Sequence, residues 1–233
     1  MAKRSLDDLR RTPAYQFIEA AHYLNMPVTT LRAWCVGQNY YTHGEKHRFQ
    51  PVIRLDGIPR EGLSFLNLIE AHVLAAIRRK HDVPLPKVRD AVAYVAKILK
   101  VSRPLADVNF ETDGVNLFVR RLNQLLNVSL GGQVASEELL RAHLRRVERD
   151  DAGIPIKLFP FTRTDVALSA PAPVEMDPRI AFGRPVIRGR AVPTAVLAER
   201  FKAGDSISFI AEDLEIQHDV VEDAIRCELE RAA

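Results

Sequence analysis

The stretch Glu19 to Gly37, EAAHYLNMPVTTLRAWCVG, decides how the chain is read. Phe17, Ala20, Ala21 and Leu24 recur at three and four residues and fall on one face of a helix; Val28, Leu31 and Cys35, joined by Trp34, do the same on a second. Asn25 suits the left-handed residue that ends a helix, and Met26 can plug the angle between the two. Pro27 fits the start of the second helix, where its missing N–H costs nothing. Ala21 is small where helix backbones come close, and Gly37 is a natural stop. Two short helices meeting at a tight turn have helix-turn-helix geometry, which can lay the second helix in a DNA major groove.

Just downstream, Asn39 to Leu55 (NYYTHGEKHRFQPVIRL) has a turn at Gly44 between polar and aromatic residues and then the apolar pair Val52 and Ile53. That pattern predicts a short hairpin, a wing. On this reading the second helix offers Thr29, Thr30, Arg32, Ala33 and Val36 to base edges and phosphates. Arg32 comes first among them, because a guanidinium engages guanine or phosphate through paired hydrogen bonds. Tyr40, Tyr41, Lys46, His47 and Arg48 of the wing would contact backbone or minor groove. The competing reading is an ordinary helical hairpin with Trp34 and Cys35 in a core and the polar residues solvated. Charge separates the two: residues 1–60 carry 9 basic and 5 acidic side chains, whereas residues 174–233 carry 8 and 12. The front end suits a polyanion and the back end does not.

Further on, Leu66, Ile69, Val73 and Ala76 repeat at helical spacing, and after the Pro84/Pro86 break so do Val88, Val92, Val95 and Leu99. These stripes are the longest in the chain and are the expected dimer surface. VNLFVRRLNQLLNVSL reads as a β-hairpin turning near Asn123. It leads through Gly131 and Gly132 to a helix capped by Ser136, with Leu140, Leu144 and Val147 on one face. LSAPAPVEMDP reads as a linker or extended strand. Three helices follow, Ala195 to Ala203, Ser206 to Leu214 (capped by Asp205) and Asp219 to Leu229, again with helix-turn-helix geometry.

With 47 % apolar and 27 % charged residues in 233, the composition is that of a globular chain of two or three small modules. No apolar run approaches the length of a membrane span, and the N-terminus has no apolar stretch of the kind a secretory signal requires, so a cytoplasmic location is expected. Cys35 and Cys227 read as buried thiols. His43 and His47 have ligand-like spacing with Cys35 but lack a fourth ligand, so a metal is not expected. Gly131-Gly132 lacks the Lys-Ser/Thr of a phosphate loop, and Asp150-Asp151 read as solvated acids after a helix end. No nucleophile, base and orienting group can be assembled from spacing; neither an enzyme nor a cofactor is expected.

AAHYLNMPVTTLRAW resembles the first helices of MerR-type winged-helix regulators over about the first 55 residues, with Asn25 and Met26-Pro27 in place of the commoner turn residues. The effector part of those regulators has no counterpart here. DPRIAFGRPVIRGRAVPTAVLAERFKAGDSISFIAEDLEI resembles a small bacterial domain family that occurs as the antitoxin partner of PIN-like ribonuclease toxins. The whole arrangement resembles long, multidomain VapB-type antitoxins. The fold this implies is mainly α with small β elements: a winged helix-turn-helix at 1–60, a helical pair at 61–102 with a possible dimer role, a β-hairpin and helix region at 103–168, and a three-helix domain at 174–233. The function it implies is neutralisation of a PIN-like ribonuclease and repression of the chain's own promoter, as a homodimer on operator DNA.

Within the last module Arg179, Arg184, Arg188 and Arg190 form a compact basic segment. A guanidinium could occupy the carboxylate cluster with which such ribonucleases hold a divalent metal. The final helix carries Asp219, Glu222, Asp223, Glu228 and Glu230 against Arg226 and would be repelled by a duplex. These four arginines, with Glu222 and Arg226, are therefore the expected toxin contacts. The opposing expectation is that Arg184 and Arg188 pair with acidic helices of the same or a neighbouring subunit. The rival function is a stand-alone MerR-like regulator without a toxin partner.

Overall fold

The computed structural model describes residues 5–42, 44–78, 84–126, 137–162 and 171–229. The chain opens with α1 (Leu6–Arg11), capped by Ser5, whose hydroxyl accepts from the Asp8 N–H while the Asp8 carboxylate accepts from the Ser5 N–H. Then come α2 (Phe17–Tyr23), α3 (Val28–Val36), β1 (Gln38–Thr42), β2 (Glu45–Phe49), α4 (Phe65–Arg78), α5 (Leu85–Leu99) and α6 (Val115–Leu126). The second half holds α7 (Glu137–Leu144), β3 (Val147–Arg149), β4 (Pro155–Leu158), β5 (Val174–Glu175), β6 (Val186–Ile187), α8 (Thr194–Lys202), α9 (Ile207–Asp213) and α10 (His218–Glu228). Helix makes up 56 % of the described residues, and the sheets among them are three antiparallel pairs, β1-β2, β3-β4 and β5-β6. The fold is mainly α with small β elements, as its sequence pattern implies.

The centre of the molecule is α4. Every residue from Leu63 to Ala76 is buried, not only the stripe Leu66, Ile69, Val73 and Ala76. A helix enclosed on all sides must find partners for its polar groups. Asn67 Nδ2 donates to the Arg54 carbonyl (2.8 Å), the Glu70 carboxylate accepts from Arg103 (2.6 Å), and His72 Nε2 lies 3.0 Å from the His143 carbonyl oxygen. Around α4 pack α1, α7, β4 and the short turn Pro104–Ala106. Over residues 65–76, where its burial is described, α4 therefore has no free face for a second copy. Of the helical pair, α5 alone exposes large apolar side chains, Tyr94 and Ile98, among the described residues.

Residues 115–126 are a helix, not the hairpin that the alternation of Val115, Leu117 and Val119 suggests. Val115, Phe118, Val119 and Leu122 are buried at the zeroth, third, fourth and seventh positions, so the 3.6-residue period wins over the apparent two-residue one. The hairpin of this region is β3-β4, tied at its turn by Asp150, whose carboxylate accepts from the Ala152 and Ile154 N–H groups. Those bonds, with Arg10 at 2.6 Å, hold the Asp150 carboxyl below its usual range, so it is a structural anchor and not a solvated acid. Val147 belongs to this hairpin and not to α7. Gly131, Gly132 and Ser136 lie outside the described residues.

A continuous apolar core runs from Tyr15 to Met176, and a second, smaller one gathers Val174, Ile187, Leu197, Ile210, Val221, Ala224 and Ile225. Tyr23, half-buried on α2, packs against both. In the smaller unit α9 is capped by Ser206, whose hydroxyl accepts from the Phe209 N–H (3.1 Å). Asp205, the expected cap, pairs with Arg200 instead (2.8 Å).

Candidate nucleic-acid interface

The turn between α2 and α3 is built as the sequence predicts. Asn25 has φ 60°, the Met26 N–H donates to the Ala21 carbonyl (3.0 Å) and the Asn25 N–H to the His22 carbonyl (3.0 Å), a Schellman arrangement that satisfies the end of α2. Pro27 stands one position before α3, and its carbonyl accepts from Thr30 and Leu31. Glu19 closes the other end of α2 by accepting from the Gln16 N–H (2.9 Å).

Helix α3 buries Leu31, Trp34 and Cys35 and exposes Thr29 and Arg32, with Thr30 and Val36 half-buried. Ala33, expected on the solvent face, is buried, because the chain after the wing folds back over the end of this helix. There the Val52 and Ile53 N–H groups both donate to the Trp34 carbonyl (2.8 and 3.0 Å). Gly37 ends α3 with φ 82°, and a Cβ at that position would stand 2.3 Å from the Phe49 carbonyl oxygen, so the close approach of helix end and wing requires glycine. The Arg32 guanidinium carbon sits 4.8 Å above the Phe17 ring, which aims it along the first helix of the pair.

The wing is a five-pair antiparallel ladder, Gln38 opposite Phe49 through Thr42 opposite Glu45. Directly opposed residues share a face. Tyr40 therefore stacks on His47 (5.4 Å between rings) on the face whose base, Phe49, is buried, whereas Asn39, Tyr41, Lys46 and Arg48 occupy the other. The expected contacts are thus divided between two faces, and Asn39 joins the second group, which strand alternation would have shown. Phe49 is anchored in turn by the Arg89 guanidinium of α5 at 5.9 Å. His43 lies outside the described residues, and burial pushes the Cys35 thiol up to about 12, so Cys35 is a core thiol and not a thiolate ligand. Among the described residues no group of three metal-ligating side chains occurs.

The cations of the two ends differ in their company. Among the described residues Arg32, Lys46 and Arg48 have no ion pair. In the smaller unit Arg179 grips Asp177 (2.6 Å), Arg184 reaches Glu19 on α2 (2.9 Å), Arg190 donates to the Glu215 carbonyl (2.9 Å), and Arg226 pairs with Glu222 and Asp223 on its own helix. Arg188 is exposed and lies over the Phe159 ring at 4.6 Å. Glu19 is thus both a cap and a bridge between the units, alongside Tyr15 Oη, which donates to the Gly183 carbonyl (3.0 Å), and His22 Nε2, 2.8 Å from the Cys227 carbonyl oxygen.

The smaller unit repeats the turn of the first. Glu215 has φ 51°, and the Ile216 N–H donates to the Ala211 carbonyl (2.9 Å) as Met26 does to Ala21. Laid turn upon turn, Glu222 stands where α3 has Arg32, and Asp219 where it has Thr29. The same geometry therefore carries opposite charge.

A winged helix-turn-helix joined to a second, acidic helix-turn-helix unit is the class that these elements define. In agreement, residues 13–92 match a family described as "Putative DNA-binding HTH domain", and residues 174–226 match one described as "Protein of unknown function (DUF433)". Over nearly its whole length the chain is similar to a VapB-type protein of Mycobacterium tuberculosis, "Putative antitoxin VapB45", at 26 % identity over 231 residues, 91 % of this chain and 92 % of the relative. The crystal structure of Rv2018 from the same organism shares the fold, with a TM-score of 0.66 at 23 % identity, covering 92 % of this chain and 97 % of that one.

Proposed function

We propose that this chain is an antitoxin that represses its own promoter through α3 and the wing and neutralises a PIN-like ribonuclease toxin through its C-terminal unit. The observation that carries the reading is the division of the cations. Among the described residues Arg32 of α3 and Lys46 and Arg48 of the wing stand exposed and without ion pairs, as phosphate contacts require, whereas Arg10 and Arg11 of α1 and most cations of the last unit are engaged within the chain. The likeness to a named antitoxin supports the second half of the proposal. Thr29, Thr30, Arg32, Tyr40, Tyr41, Lys46, His47 and Arg48 contact the operator, with Asn39 added. The units 1–60, 61–102, 103–168 and 174–233 serve reading, support, bracing and toxin binding. The protein acts by stoichiometric binding in the cytoplasm, as a homodimer on a two-fold operator.

Of the basic segment, Arg188 is the side chain left to enter a toxin's carboxylate cluster, because Arg179, Arg184 and Arg190 already have partners. Co-expression with the product of the adjacent reading frame, with this chain tagged, tests the proposal: the toxin co-purifies without ribonuclease activity. Arg188→Glu releases active toxin, while Arg179→Ala does not. A chain with no such neighbour, which still binds its promoter with a steep salt dependence, is instead the stand-alone regulator.

A further inference from the structure

Ala181, Phe182 and Gly183 have φ 47°, 56° and 80°, three consecutive left-handed residues of which two lack the freedom of glycine. The loop is fixed in that form by Gly183 N–H donating to Ile180 (2.8 Å), Arg184 N–H donating to Ala181 (3.0 Å), and Tyr15 Oη donating to the Gly183 carbonyl (3.0 Å). Gly183 cannot be exchanged, since a Cβ there would meet Tyr15 Oη at 2.2 Å. This costly conformation leaves Phe182 90 % exposed. A surface loop held in strain so as to project an aromatic ring is built for contact with another molecule.

Beside the ring opens a cavity of about 280 Å³, walled mainly by Leu9, Pro13, Ala14, Phe65 and Pro178, with Thr12, Tyr15, Phe182 and Arg184 also on its lining. An apolar cavity of roughly 150 Å³ already accepts benzene, so a phenyl side chain fits here. The flanking charges are matched within the chain, Arg184 by Glu19 (2.9 Å) and Arg179 by Asp177 (2.6 Å). Two identical faces can therefore meet without bringing unpaired like charges together. A knob and a hole side by side on one surface are self-complementary under a two-fold axis. We propose that each copy's Phe182 enters the other's cavity, and that this exchange is the contact between two copies of the chain. The proposal rests on the homodimer in the reading above, and it accounts for a dimer in which α4 takes no part.

Sedimentation of the full chain over a range of concentrations tests it with two variants. Phe182→Gly weakens self-association at least tenfold while the monomer keeps its fold by circular dichroism, since glycine accepts the left-handed backbone. Ala14→Phe fills the cavity and weakens it likewise. An equimolar mixture of the two variants regains heterodimer, because one knob and one matching hole remain between them. A dimer unchanged in Phe182→Gly overturns the proposal; if Ile98→Glu then breaks it, the contact lies on α5. A Phe182→Gly chain that dimerises normally but no longer holds the toxin also overturns it, in favour of a toxin anchor. A wild-type chain that is monomeric throughout overturns both this proposal and the two-fold reading on which it rests.

Discussion

Arg32 is held over Phe17 while the residue as a whole stays exposed. An alanine there removes the exposed head and leaves Phe17 in the core. Arg32→Ala is expected to weaken operator binding by about 1–3 kcal/mol with little change in Tm; titration of promoter DNA at fixed salt measures it, and unchanged affinity would remove Arg32 from the interface. Glu70 makes a different prediction. Its burial in α4 outweighs the neighbouring Arg103 and lifts its carboxyl from 4.5 to about 7. A carboxyl raised in this way binds its proton more tightly when folded, so the stability it confers is complete below 4.5 and is lost as pH rises toward 7. Stability relative to Glu70→Gln is therefore expected to fall across that interval, with a slope approaching about 1.4 kcal/mol per pH unit for one proton. Thermal melts of both proteins across the same pH range check the sign.

At the scale of elements, the turn at Asn25 carries the angle between α2 and α3. Asn25→Val forces a β-branched residue into φ 60° and is expected to cost about 1–2 kcal/mol, whereas Asn25→Gly stays near wild type; chemical denaturation separates the two. This turn was legible in the sequence because every residue of it has a local reason: a small Ala21, a left-handed Asn25, a proline before the next helix. α6 was not, because Val115, Leu117 and Val119 alternate as a strand would, while Val115, Phe118 and Val119 keep a helix's stripe that Leu122 extends. The wing was legible as a hairpin, and its two faces follow from the pairing register. The partners of the C-terminal arginines were only partly legible. Arg226 and Glu222 are four residues apart, but Arg184 and Glu19 meet from opposite ends of the chain, and no local pattern announces such a pair.

Across the whole molecule the two cores meet along α2. Tyr15 belongs to the larger core and its hydroxyl to the smaller unit, through the Gly183 carbonyl; burial raises its phenol far above the ordinary value. Tyr15→Phe removes one buried hydrogen bond and is expected to cost about 0.5–1.5 kcal/mol. Because that bond joins the units, calorimetry is expected to show one unfolding transition that shifts as a whole, not a separate early melt of residues 174–229.

Tyr23, resting on both cores, has a consequence for descent. A gene fusion that exchanged the last sixty residues for those of a relative would bring in a new surface for Tyr15, Glu19, His22 and Tyr23 to fit. Those four positions lie within the helix-turn-helix itself or just ahead of it. A lineage that acquires a new C-terminal unit is therefore expected to change the back of its helix-turn-helix as well, so that the two ends vary together.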